Sequence, residues 1–423
     1  MTPEDDKLID LLEEIREQVV FRTDPALSGV LLVAPQYRST YYRERHTLMG
    51  MLLLHATPQL SKHYADAIQE ELRSRLDHYV EDDAVYQNFV NTGMTVSLSR
   101  LAENVVRAAV LLTPSEASRI VGQWASGERQ RCTYRFTITG VARPDHILTM
   151  GSEGIRLEPL PSNSGEILEY LPLAYGRDGA LDLLSNAIRV SIDCEAWPAI
   201  RRPSDPFDDR RFTWARGDVS NLAEKLCEAL SLALDSFVGW GYQWFDAADG
   251  MEFFGGGPGY SYSREFATGT ATLSEADVPD VYRLFNRRLR SEEGRDARVL
   301  DQAIRRWMRS KSRAGIADQL IELRIALESL YVPDTRGEAR FRLSTHGAWH
   351  LGATFEERRE YQRILRDAYD LASTAVHTGE VEHTDENHDL LVSAQALCRE
   401  GILKRLDENP APDWSALVLG APP

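Results

Sequence analysis

The sequence predicts an α+β protein of several domains, mostly helical, with a small β-rich unit in the middle and an antiparallel helical bundle at its C-terminal end. Three observations predict it. Long amphipathic stretches joined by short links crowd residues 296–408. Strand-like alternation begins only after Cys132. A chain of 423 residues with 43% hydrophobic content exceeds what one core supports, so two or three packed domains are expected. The expected segments are 1–130, mostly helical; 131–215, β-rich with a linker; 216–295, helical and connecting; 296–408, the bundle; and 409–423, a tail.

Taken in order, residues 4–20 read as a short amphipathic helix and Val30-Leu31-Leu32-Val33 as a strand. Further helices run to about residue 128. One opens at Thr113-Pro114-Ser115-Glu116, where a capping threonine, a proline at the first helical position and a glutamate at the third match a helix start. From Thr133 to Thr139 residues alternate, and Gly151, Gly154, Pro159, Pro161 and Gly165 punctuate short apolar runs up to about Trp197. Arg201-Arg202-Pro203-Ser204-Asp205-Pro206 reads as a linker, with a helix following near residues 219–238. Gly255-Gly256-Gly257-Pro258-Gly259 lacks a following Lys-Ser/Thr and GxGxxG spacing, so it reads as a turn and not as a phosphate cradle.

Five helices are expected in the bundle: about 296–311, 316–332, 340–351, 354–377 and 387–406. Ile316, Leu320, Leu323, Leu327 and Leu330 keep helical spacing until Pro333 stops the second. Thr354-Phe355-Glu356-Glu357 is a capping box for the fourth, and Gly379 stands where a left-handed C-cap belongs. On that helix Tyr361, Leu365, Ala368, Ala372 and Ala375 form a core stripe, while Arg366, Asp370, Ser373 and His377 form a polar one.

Composition excludes several functions. No apolar run approaches the ~20 residues that span a bilayer, and the N-terminus lacks the basic and apolar regions of a signal peptide, so a cytoplasmic location is expected, with no membrane partner. Cys132, Cys194, Cys227 and Cys398 are scattered without CxxC spacing and read as buried, reduced thiols. Net charge is −17, which argues against broad phosphate neutralisation. Any RNA contact must be local. From Arg283 to Arg313, eleven basic residues face four acidic ones, a balance of +7 that reads either as a solvated face paired with the acidic remainder or as a phosphate-facing patch.

The run Asp318-Gln319-Leu320-Ile321-Glu322-Leu323-Arg324-Ile325-Ala326-Leu327-Glu328-Ser329-Leu330, followed by Tyr369-Asp370-Leu371-Ala372-Ser373-Thr374-Ala375-Val376-His377-Thr378-Gly379, resembles the ApeA-like branch of the HEPN superfamily. The resemblance covers about residues 296–408. It implies a metal-independent endoribonuclease without cofactors, acting as a homodimer, and often a toxin or anti-phage effector. In that scheme His377 transfers a proton as a ribose 2′-hydroxyl attacks the neighbouring phosphate. Glu328 orients or polarises the site from the adjacent helix, and Asp370 and Ser373 belong to the same motif. Arg305, Arg306, Arg309 and Arg366 are the expected RNA-facing cations. The preceding 290 residues would recognise a trigger, a phage product among the candidates.

One position departs from the pattern, because Ala372 stands where the family carries an arginine. Loss of one preorganised transition-state donor costs on the order of 10²–10³ in rate, so this chain is expected to be a weak nuclease or none. A naturally non-catalytic member, partial substitution by Arg366, and replacement of an original arginine are the three explanations; the last is favoured because the surrounding motif fits an active member. Positions 372 and 377 lie about 140° apart on an ideal helix, so two apposed helices would grip a phosphate better than one. The alternative function is a non-catalytic module for dimerisation or RNA binding. On plainer readings, His377 only satisfies helix-end carbonyls and Glu328 only pairs with Arg324. His346 and His350 lack a HExxH glutamate and read as surface or partner-facing residues, and a metal at His383, Asp385, Glu386 and His388 would need four converging groups. No metal is expected.

Overall fold

Side chains that satisfy free backbone groups decide where the helices of this chain begin and end. In the computed structural model, Thr113 Oγ1 accepts a hydrogen bond from the Glu116 amide at 3.1 Å, Pro114 takes the first helical position, and Gly127 closes that helix at φ +65°. The structure describes residues 6–16, 20–22, 31–33, 57–59, 61–88, 93–111, 113–142, 146–152, 154–159, 188–196, 200–204, 212–214, 217–218, 221–247, 261–262, 270–290, 294–332, 337–408 and 412–419. They are mostly helical, with antiparallel sheets and a C-terminal set of helices. The glycine-rich run at 255–259, Pro333, and the linker residues Asp205 and Pro206 lie outside them.

Contacts gather the chain into two units: Met1–Thr137 with Asp145–Ser220 and Tyr242–Tyr262, and Ile138–Pro144 with Asn221–Gly241 and Ser263–Pro423. The grouping follows packing and not chain order, so it differs from the five consecutive segments that composition suggests.

In the first unit, α1 (Lys7–Arg16) is followed by β1 (Val20–Arg22), β2 (Leu31–Val33) and β3 (Thr57–Gln59), an antiparallel sheet of order β2-β1-β3. Next come α2 (Lys62–Arg75), β4 (Ala84–Asn88), β5 (Gly93–Ser97), α3 (Leu98–Leu111) and α4 (Pro114–Ser126). Leu12, Leu72, Leu101, Val105, Ile120 and Trp124 meet in one core. Asp6, itself buried, accepts from the Leu8 amide at 3.0 Å, from the Ser118 hydroxyl and from the Arg75 guanidinium, which ties the start of α1 to α2 and α4. Burial pushes its carboxyl up, but the Arg75 and Ser118 hydrogen bonds outweigh this and hold it below the usual range. Among the described residues the first 130 positions are mostly helical, and five short strands lie between the helices. Each spans only three to five residues, too few for an alternating pattern to stand out.

The remaining strands are β6 (Gln130–Thr139), β7 (Leu148–Met150), β8 (Ile155–Pro159), β9 (Ile188–Ala196), β10 (Ile200–Arg201), β11 (Phe212–Trp214), β12 (Gly217–Asp218), β13 (Gly239–Ala247) and β14 (Ser261–Tyr262). An eight-stranded sheet runs β12-β11-β9-β6-β13-β14, with β8 pairing β7 and β9, while β10 joins β4 and β5. The stretch 216–295, expected as helical, therefore also supplies three strands, β12, β13 and β14. Gly239-Trp240-Gly241-Tyr242-Gln243-Trp244-Phe245 carried the signal, being aromatic-rich and alternating. Cys132 and Cys194, far apart in sequence, stand on neighbouring strands, both buried, with their Sγ atoms in hydrogen-bond contact at 2.9 Å and no disulfide between them.

The second unit holds α5 (Leu222–Leu234), α6 (Val278–Leu289), α7 (Arg295–Ser312), α8 (Ile316–Tyr331), α9 (Ala339–Leu351), α10 (Phe355–Thr378), α11 (Asp385–Asp407) and the short α12 (Trp414–Val418). Three residues link α7 to α8, and Arg306 meets Glu322 at 2.8 Å, each eight residues from the middle of that link. The two helices therefore fold back antiparallel. The same argument holds for α9 and α10, where Gln362 donates to Thr345 Oγ1 at 3.3 Å and Arg340 reaches Asp370. Gly347 permits that pairing: a Cβ there would lie 2.5 Å from Leu365 and 3.3 Å from Tyr331. Between α7 and α11 the Trp307 indole donates to the Gln395 carbonyl at 3.0 Å, and Gln395 Nε2 donates to the Ser310 carbonyl at 3.0 Å. Arg399 of α11 caps the last carbonyls of α5, donating to Leu232 at 2.6 Å and Ala233 at 3.2 Å.

Candidate functional site

The helix α10 carries most of the expected site, and its ends fall where the sequence signals place them. Thr354 and Glu357 form the capping box, and Gly379 closes the helix at φ +75°. Between these ends the helix separates into the two expected faces. Leu365, Ala368, Ala372 and Ala375 are buried, with Ala372 only 1% exposed, whereas Arg366, Asp370 and His377 are exposed and Ser373 is half-buried. Ala372 thus lies inside the packed seam, and His377 lies outside it.

His377 sits in the last turn of α10 with no hydrogen-bond or ion-pair partner among the described residues. Its neighbour Val376 is 52% exposed. An imidazole so placed is accessible for proton exchange, but an alanine at 372 offers nothing that neutralises a phosphate. Asp370, the polar residue two turns earlier, is engaged by Arg340 of α9, and Arg366 pairs with its neighbour Asp367 at 3.0 Å.

Glu328 joins the two motif segments. Arg324 Nε donates to Glu328 at 2.8 Å, as the plainer reading of that residue expects, and Arg324 Nη2 donates to the Tyr369 hydroxyl at 2.9 Å. The Arg324 guanidinium also lies 4.4 Å from the centre of the Tyr369 ring. Burial pushes the Tyr369 phenol above the usual range, so it stays protonated. Since Tyr331 and Leu365 both border Gly347, and Arg324 borders Tyr369, α8 and α10 run antiparallel. His377 then lies ~12 Å beyond Tyr369, toward the first turn of α8. Tyr369, Arg324 and Arg340 were not assigned as site residues; Tyr369 and Arg324 stand within the quoted motif segments, and that was their only signal.

The expected cations of α7 occupy other contacts. Arg305 lies 3.8 Å from Glu224, Arg306 holds Glu322 at 2.8 Å, and Arg309 lines a pocket with residues of α5. None of these contacts includes α10. Other members of the basic stretch also pair with acidic partners: Arg283 with Asp280, Arg287 with Asp407, Lys311 with Asp235, and Arg313 with Glu322.

The reading of His346 and His350 as surface residues is corrected. His350 is 2% exposed and His346 half-buried, because α12 returns over α9 and stacks Trp414 on His346 with ring centres 5.4 Å apart. His350 Nε2 meets Glu408 at 3.1 Å and its Nδ1 meets the Tyr331 hydroxyl at 3.3 Å. Among the described residues no group of three or more His, Cys, Asp or Glu is placed to hold a metal ion. His383 and His388 stack with ring centres 6.3 Å apart. Among the same residues no helix is long and apolar enough to cross a membrane. Comparison with models of known protein families, with curated proteins and with solved structures finds no match for this chain.

Proposed function

We propose that α7–α11 form a HEPN-type ribonuclease module whose proton-transfer group is His377, and that Ala372 leaves this chain disarmed. The observation that carries the reading is the union of its two motif segments. The Ala-Leu-Glu helix and the Tyr-Asp-Leu helix are joined through Glu328, Arg324 and Tyr369, while His377 remains open to solvent at the end of the second. RNA is the substrate, and a second copy of the chain is the partner that would bring another α10 against the exposed Val376–His377 turn. In this scheme His377 moves the proton of the 2′-hydroxyl or of the leaving oxygen, and an arginine at 372 would neutralise the phosphoryl oxygens. Glu328 acts as a positioning residue through Tyr369.

The test is restoration. Purified Ala372→Arg protein is expected to cut RNA in excess chelator at least 10²-fold faster than the parent, and the Ala372→Arg, His377→Ala protein is expected to lose that gain. A folded Ala372→Arg protein without activity sinks the nuclease reading. One observation favours a second reading, a non-catalytic module for dimerisation or RNA binding: Ala372 is packed, and a buried arginine would cost roughly 1–3 kcal/mol in overpacking alone. That reading predicts saturable RNA binding or a dimer with no cleavage by either form.

A further inference from the structure

Between α5 and α7, inside the second unit, lies a pocket of about 430 Å³ whose lining includes none of His377, Glu328 and Tyr369. Its size falls within the ~300–1,000 Å³ of ordinary small-molecule sites. Its lining combines three chemistries. Phe237 and the half-buried Trp240 supply flat aromatic surface, Arg305 and Arg309 supply positive charge one helical turn apart, and Glu228 supplies a carboxylate.

Glu228 is the informative member. Its side chain is 1% exposed, and Oε2 is held by Arg288 Nε at 2.7 Å and by Lys225 Nζ at 3.3 Å. Oε1 has no hydrogen-bond partner among the described residues. Buried carboxylate oxygens are rarely left unpaired, because each has lost its water. A ligand N–H entering the pocket would restore that bond. At the charged wall, Arg305 lies 3.8 Å from Glu224, both half-exposed, a long contact of the weakest kind that leaves Arg305 able to turn to a stronger anion.

We propose that this pocket binds a purine nucleoside monophosphate. The base stacks on Trp240 and Phe237, an N–H of its edge donates to Glu228 Oε1, and the phosphate meets Arg305 and Arg309. A zwitterionic amino acid would also pair a donor with an anion, but two arginines and this volume exceed what its single carboxylate and smaller body fill. The inference does not rest on the ribonuclease reading, since none of its residues belongs to the His377 site.

Titration calorimetry of the full chain with guanosine monophosphate, adenosine monophosphate, guanosine, inorganic phosphate and tryptophan tests it. At least one purine monophosphate is expected to bind saturably at one site, more tightly than guanosine or phosphate. Trp240→Ala and Arg309→Gln are each expected to weaken it fivefold or more, with thermal unfolding of the free protein reported alongside. Glu228→Gln also disturbs Arg288, so the two lining variants carry the test. Absence of binding by both monophosphates, binding unchanged in folded Trp240→Ala and Arg309→Gln proteins, or tighter binding of tryptophan overturns the proposal.

Discussion

A methyl group at position 372 cannot stabilise a phosphorane-like oxygen, whatever the histidine nearby does, and it is buried in the packed face of α10. The two stripes of that helix were legible because a period of about 3.6 residues sorts side chains without reference to any partner. The pairing of Arg324 with Tyr369 was not. Its hydrogen bond to the Tyr369 hydroxyl depends on the register between α8 and α10, and no local pattern encodes register. Tyr369→Phe removes the hydroxyl that accepts from Arg324. It is expected to cost about 1 kcal/mol of stability, typical of a partly buried hydrogen bond. In an Ala372→Arg background it should slow cleavage less than His377→Ala does. Equal losses from both changes would move Tyr369 from a positioning residue to one that touches the reacting atoms.

Helix ends were the most legible elements, since capping chemistry lies within four residues of chain. Thr354→Ala is expected to lower the unfolding free energy by about 1 kcal/mol in denaturant titration, and an unchanged midpoint would deny the cap its role. Apart from β2, which the apolar run Val30-Leu31-Leu32-Val33 marked, the short strands and α12 were not legible, because three to five residues carry too little periodicity, and the cover that α12 places over α9 is a long-range contact. That cover makes a pH prediction. Burial lowers the proton affinity of His350, against the opposing pull of Glu408, and burial likewise lowers that of His346. The unfolded chain then binds more protons than the folded one once pH falls below the ordinary histidine value of about 6.5. Stability from this pair is therefore complete above that pH and is lost as pH falls toward the lowered folded values. Melting temperatures measured from pH 7.5 to 5.5 should fall, and His350→Gln should flatten the slope. An identical slope in the variant would assign the acid sensitivity elsewhere.

At the scale of the molecule, two units form from interleaved parts of the chain. Composition alone suggested consecutive segments, because a linear scan cannot see that 221–241 packs with 263–423. What the scan did locate is the helical set at the C-terminal end, whose five expected helices lie within about three residues of their observed bounds. The central claim is that this set is a ribonuclease module lacking one charge. Attack by a 2′-hydroxyl without metal leaves a 2′,3′-cyclic phosphate on one fragment and a 5′-hydroxyl on the other, so the product ends report the chemistry directly. The decisive measurement is end-group analysis of RNA incubated with Ala372→Arg protein in excess chelator. Cyclic phosphate ends that disappear when His377→Ala is added are the expected result; intact RNA with folded protein, or fragments bearing 3′-hydroxyl and 5′-phosphate ends, would contradict the account.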